Sequence, residues 1–176
     1  METIEAQLAR LAEVAQEAHR DIRESIFSLK NGPVEGWSFF ESLQRHLATY
    51  QENYGIHTDL VIAEGLTENA FEMDAKVQLL RVIQEALTNS RKHGQANHVQ
   101  VSFTTEEAWV RIVVADEGCG FDPDQITNRG KSHFGLSLMR ERMRDIGGNL
   151  EIVAQPEAGT RVMLHVPIRD TQKEIV

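Results

Sequence analysis

Along the N-terminal stretch, apolar residues recur at intervals of three and four: Ile4, Leu8, Leu11, Ala15, Ala18, Ile22, Ile26 and Leu29, with Glu, Gln and Arg between them. That spacing predicts an amphipathic helix, stopped by Asn31-Gly32-Pro33. A helix of roughly 28 residues spans about 42 Å, longer than one small core needs, so it is expected to pack against another helix or another chain. A surface helix folded back on its own domain is the alternative. Trp37 to Tyr54 is expected to be helical as well. Further on, Val77, Leu80, Ile83, Ala86 and Leu87 mark the apolar stripe of a second helix, and Arg81, Glu85, Asn89 and Lys92 form a polar stripe beside it. Val110 to Ala115 reads as a buried strand. Phe121 to Lys131, with Pro123 and Gly130, reads as a mobile loop able to close over a ligand. A further helix starts around Ser132-His133-Phe134-Gly135 and ends at Gly147-Gly148. Two strands follow, Leu150 to Ala154 and Arg161 to Ile168, joined by a turn through Pro156 and Gly159.

The polar residues on this framework point to a nucleotide site. Glu85 and Asn89, four apart on one helix face, can offer two oxygen atoms to a single hard cation. Mg²⁺ favours such ligands and is usually held by one or two protein groups plus substrate phosphates. Lys92, one turn further, can neutralise phosphate charge. A solvated helix face would carry the same residue types, so this helix alone does not decide. Asp116 ends the predicted strand and is followed by Gly118 and Gly120, which let the backbone approach a planar ligand that a Cβ would hold away. Its carboxylate can accept a hydrogen bond from an adenine amino group, a charge-assisted contact worth roughly 1.5–3 kcal/mol. Asp-x-Gly-x-Gly is also a common turn. The helix beginning near His133 presents free backbone N–H groups suited to phosphate oxygens.

These blocks resemble, in order, the motifs of sensor histidine kinases. Gln84-Glu85-Ala86-Leu87-Thr88-Asn89 with Lys92-His93 is similar to the N box, and Asp116-Glu117-Gly118-Cys119-Gly120 to the first glycine box. His133-Phe134-Gly135-Leu136 with Met139-Arg140-Glu141-Arg142 resembles the second glycine box of the nitrate-sensor and desaturase-thermosensor branch, and Gly159-Thr160 the Gly-Thr that opens the last strand. The resemblance covers about residues 70 to 168. It implies the two-layer α/β (α+β) sandwich of the gyrase, heat-shock chaperone, histidine kinase and mismatch-repair ATPase superfamily: a mixed β-sheet covered by helices on one face, preceded here by a long N-terminal helix. It implies ATP and Mg²⁺ as ligands. Asn89 would coordinate the metal and Glu85 would activate water or orient the metal shell. Lys92, His93, Asp116, Gly118, Gly120, His133, Phe134, Gly135, Leu136 and Thr160 would line the nucleotide. One departure is Ser132, where the branch usually has glycine, which leaves Gly130 as a substitute hinge.

The same resemblance implies the domain plan. Residues 1–32 would be the second helix of a dimerisation and phosphotransfer hairpin, 33–55 a connecting helical segment, 56–170 the ATP-binding catalytic domain and 171–176 a tail. The partners would be a response regulator and, through the N-terminal helix, a second copy. The phosphoacceptor context of the branch, Arg-x-x-x-Glu/Asp-Leu-His-Asp, does not occur in the chain. His19 is followed by Arg20 and sits on the wrong helix for that role, so the expectation is a cytoplasmic fragment that begins after the true site. An anti-sigma-type serine kinase of the same fold and a non-catalytic docking module are the alternatives.

Composition narrows the classes. The chain of 176 residues can bury about 70 % of its unfolded surface, enough for one α/β domain with a helical appendage. No stretch approaches the run of about 18 apolar residues that a membrane span needs, and Met1 is followed by acids rather than a basic and apolar leader. The single cysteine, Cys119, excludes an internal disulfide and suits a reducing compartment. A net charge of -9 argues against nucleic-acid binding. The seven histidines show no metal-ligand spacing and read as scattered surface residues.

Overall fold

The computed structural model describes residues 38–121 and 133–169. The predicted N-terminal helix, nearly all of the Phe121 to Lys131 loop and the tail from residue 171 lie outside the described residues.

The described chain begins with helix α1 (Phe39–Tyr54). Ser38 caps it by accepting the Glu41 N–H, and Gly55, at φ 67°, closes it in the left-handed conformation that favours glycine. Phe39, Leu43, Leu47 and Tyr50 are its buried stripe. From Phe39 on, the segment expected to be a connector is therefore part of the packed domain. Glu68, in a short 3₁₀ turn (Glu68–Ala70), holds the helix start. It accepts the Ser38 hydroxyl at 2.7 Å, the Phe39 N–H at 3.0 Å and the Lys76 ammonium at 3.4 Å. Burial pushes the Glu68 carboxyl up, but the Phe39 N–H, the Ser38 hydroxyl and Lys76 outweigh it and hold the group below its ordinary value.

Five strands form one mixed sheet in the order β1-β2-β3-β5-β4: β1 (His57–Ile62), β2 (His98–Glu106), β3 (Trp109–Asp116), β4 (Asn149–Ala154) and β5 (Thr160–Pro167). Strand β1 runs parallel to β2, so the chain must cross over between them. Helix α2 (Met73–Asn89) makes that crossover. The remaining pairs are antiparallel, β2 to β3, β3 to β5 and β4 to β5. Alternation turns Val99, Val101 and Phe103 of β2, Val110, Ile112 and Val114 of β3, and Val162, Leu164 and Val166 of β5 into the core. Phe39 meets Phe71 and Phe103 edge-on there, at centroid distances of 5.7 and 6.1 Å.

Helix α3 (His133–Asp145) buries Met139 and Met143 completely or nearly so. On α2 the fully packed stripe is Ala75, Leu79, Val82, Ile83, Ala86 and Leu87. Val77 and Leu80, expected in the core, are only half-buried, because the helix presents its Leu79 side, one residue along, to the sheet. Lys76 is buried on the strength of its ion pair with Glu68. The architecture is the two-layer α/β sandwich expected from the sequence.

Candidate functional site

The polar stripe of α2 is not free surface. Arg81, Glu85 and Asn89 are all half-buried, and α3 packs alongside them. Arg142 of α3 donates to Gln78 Oε1 at 2.9 Å. Burial and the neighbouring Arg81 lower the Arg142 guanidinium, while Glu85, Glu141 and Asp145 partly restore it. About two turns before Arg142, Gly135 stands against Glu85: a Cβ at Gly135 would run into Glu85 Oε1. Glycine there lets the start of α3 come within reach of the Glu85 carboxylate.

After Asn89 the helix widens into a π-helical turn (Ser90–Gly94) that ends at Gln95, φ 50°. Such turns insert an extra residue and are frequent at functional sites. Lys92 and His93 lie in this turn. Lys92 therefore does not continue the Arg81, Glu85, Asn89 line at α-helical spacing, as the sequence reading expected. His93 is exposed, and its carbonyl accepts from Cys119 Sγ at 3.2 Å.

The π turn packs on the end of β3, where Asp116 is only 8 % exposed. Its Oδ1 accepts the Gly118 N–H at 2.9 Å and the Thr160 N–H at 3.2 Å, and its Oδ2 accepts the Ser90 hydroxyl at 2.8 Å. Each carboxylate oxygen can take about two donors, so Oδ2 keeps room for one more. A buried carboxylate fixed by three donors and able to accept one further hydrogen bond fits an exocyclic amino group. Thr160 thus contributes through its backbone N–H. Gly118 is glycine for an internal reason too, since a Cβ there would meet the Gly94 carbonyl, and the Cys119 N–H donates to that same carbonyl at 2.7 Å.

The fold therefore brings Glu85, Asn89, Lys92, Asp116, Gly118, Gly120, Gly135 and Thr160 to one end of α2, β3, β5 and α3. Leu136 is half-buried in the first turn of α3. His133 and Phe134 open α3, with their side chains outside the described set. Ser90 and Gly94 were missed as site residues. Ser90 had a readable signal, a hydroxyl on the apolar stripe with Ala86 and Leu87, where a buried polar atom must find a partner. As for Mg²⁺, Glu85 and Asn89 supply hard oxygen donors, and neither is tied up by a hydrogen bond or ion pair among the described residues.

The histidines are not all scattered. His57 and His98 stack at a centroid distance of 5.5 Å beside Asp59, and among the described residues no other group of three His, Cys, Asp or Glu side chains brings its ligand atoms within 4.8 Å of one another. No helix of the described residues is long and apolar enough to cross a membrane.

Comparison with known proteins gives a consistent assignment. Residues 74–170 match the family described as histidine kinase-, DNA gyrase B-, and HSP90-like ATPase. The chain is 30% identical over 159 residues to the signal transduction histidine-protein kinase/phosphatase DegS of Brevibacillus brevis, covering 90% of this chain and 40% of that protein. It is 30% identical over 160 residues to the sensor histidine kinase LiaS of Bacillus subtilis, covering 91% of this chain and 42% of the relative. The chain thus spans well under half of these relatives. Among solved structures, the ATP binding domain of PrrB from Mycobacterium tuberculosis superposes with a TM-score of 0.56 at 24% identity, over 73% of this chain and 92% of that one. The histidine kinase domain of the Erythrobacter litoralis blue-light activated kinase gives 0.62 at 18% identity, over 78% of this chain and 64% of that one. These likenesses establish the shared fold.

Proposed function

The chain belongs to the histidine kinase-, DNA gyrase B- and HSP90-like ATPase family, and from that premise we propose that it is the catalytic domain of a two-component sensor histidine kinase. It transfers the γ-phosphoryl group of Mg-ATP to a histidine imidazole nitrogen, for relay to a response regulator. The observation that carries the reading is the Asp116 carboxylate, nearly buried, held by Ser90, Gly118 and Thr160 and left with one accepting position.

In this reading Asp116 Oδ2 accepts the adenine amino group, and the close packing of Gly118 on Gly94 keeps the first glycine turn rigid around it. Glu85 and Asn89 hold the metal shell through their oxygens. Lys92 and His93, in the π turn, lie on the phosphate side, and Gly135 lets the α3 N–H groups approach the same region. Gly120, His133, Phe134, Leu136 and Thr160 complete the nucleotide lining. ATP supplies the phosphoryl group and Mg²⁺ neutralises its charge. Catalysis is then chiefly positioning and electrostatic stabilisation. Dimerisation runs through the predicted N-terminal helix, and the working compartment is the cytoplasm.

The phosphoacceptor is not His19 but a histidine in the His-Asp context that the chain lacks. Radiolabelled ATP tests this with the chain alone, its His19→Gln variant, and an added polypeptide carrying a hairpin helix with the His-Asp pair. Acid-labile label should appear only on the added acceptor. Label on the chain alone that vanishes in His19→Gln would overturn the acceptor assignment, and nucleotide binding without any transfer would reduce the domain to a docking module.

A further inference from the structure

His57 and His98 are a register pair on the parallel strands β1 and β2, and Asp59 follows two positions along β1. Alternation puts all three on one sheet face, opposite to the face on which Val99, Val101 and Phe103 are buried. The carboxylate reaches one nitrogen of each of the two stacked rings, its Oδ2 2.9 Å from His98 Nε2 and its Oδ1 3.7 Å from His57 Nε2. One ligating atom from each residue lies within 4.8 Å of the others. The second nitrogen of His98, Nδ1, faces Glu117 Oε1 at 3.4 Å.

We propose that His57, Asp59 and His98 form a binding site for a divalent late first-row cation, Zn²⁺ foremost, with Glu117 as a positioning residue acting through His98 Nδ1. Zn²⁺ binds imidazole nitrogen and carboxylate oxygen at about 2.0–2.2 Å in a tetrahedral arrangement, which sets neighbouring ligand atoms about 3.4 Å apart. With one ligand atom from each residue within 4.8 Å of the others, small side-chain rotations bring the three to that spacing. His57, at 65% side-chain exposure, is free to rotate and bring its nitrogen in.

A solvated ion pair is the plain alternative, but it would need only one imidazole. Here a second ring is stacked on the first and turned to the other oxygen of the same carboxylate. The far nitrogen of His98 also faces a carboxylate, the arrangement that fixes tautomer and ring direction in histidine ligands of metals. Two nitrogens and one oxygen select a late transition metal over Mg²⁺, which prefers all-oxygen shells. The site is therefore chemically distinct from the Glu85 and Asn89 pair, although Glu117 directly follows Asp116. The inference does not depend on the kinase reading.

Calorimetric titration of the whole chain with ZnCl₂ tests it, on wild type and on His57→Gln, Asp59→Asn, His98→Gln, Glu117→Gln and Cys119→Ser. The expected result is one-to-one binding, lost in His57→Gln and His98→Gln, weakened at least tenfold in Asp59→Asn, weakened about 10–100-fold in Glu117→Gln and unchanged in Cys119→Ser. CoCl₂ should give visible absorption without a thiolate charge-transfer band. The exposure of His57 makes its variant safe for folding, which circular dichroism checks. Zinc binding that survives both histidine variants, that disappears in Cys119→Ser, or that is absent from the wild type at micromolar concentration would overturn the proposal.

Discussion

The Ser90 hydroxyl reaches Asp116 Oδ2 at 2.8 Å across 26 residues of sequence, and so ties the end of α2 to the end of β3. Ser90 Oγ also lies 3.1 Å from the Ala86 carbonyl, but its single proton serves the carboxylate better, because a bond to a charged group is the stronger of the two.

Ser90→Ala removes that donor. A hydrogen bond to a charged group contributes about 1.5–3 kcal/mol, and the better helix propensity of Ala returns about 0.5 kcal/mol. Denaturant unfolding should therefore show a net loss of about 1–2.5 kcal/mol, with Ser90→Thr close to wild type. Equal stability of Ser90→Ala and wild type would show that the contact is not formed in solution.

Asn89→Ala removes one of the two oxygens proposed for the metal. ATP should still bind through Asp116, but the difference between titrations with and without Mg²⁺ should shrink sharply. A metal effect as large as that of wild type would remove Asn89 from the metal shell.

The parts of the site that lie within one element were readable from the sequence, because Glu85 and Asn89 share a helix face and Asp116 closes an apolar strand. The partners that fix them were not. Ser90 and the Thr160 N–H meet Asp116 only through the register of β3 with β5 and the packing of α2. The π turn has no local signature, so the position of Lys92 was misread by simple helical spacing. Strand β2 alternates cleanly through Val99, Val101 and Phe103 and was passed over. His57, Asp59 and His98 converge only once β1 and β2 are known to pair in parallel.

Glu68 gives a pH test of the fold. Its folded-state value is lowered, so it contributes stability that is present above the unfolded glutamate value of about 4.3 and lost as pH falls through the folded value. Glu68→Gln removes this linkage. Melting temperatures of wild type and variant should differ most near neutral pH and draw together as pH falls below the unfolded glutamate value and through the folded one. A gap that stays constant down to acid pH would mean that Glu68 acts by packing alone.

Asp116→Asn separates the two duties of this side chain. The amide oxygen can keep the Gly118 and Thr160 N–H groups, and the amide nitrogen can donate to Ser90 Oγ, whose proton then turns to the Ala86 carbonyl, 3.1 Å away. The local hydrogen bonds thus keep partners but lose their charge assistance, which the relief of a buried charge offsets in part, so a modest loss of stability is expected. Where Oδ2 would accept an adenine amino group, however, the variant presents an NH₂, so donor meets donor. Losing one charged hydrogen bond of about 1.5–3 kcal/mol predicts ATP binding weaker by about 10- to 100-fold, while GTP, with a carbonyl at the matching ring position, should lose less. Thermal shift with both nucleotides reads the two effects at once. An Asp116→Asn protein that is stable and binds ATP as wild type does would place the adenine elsewhere.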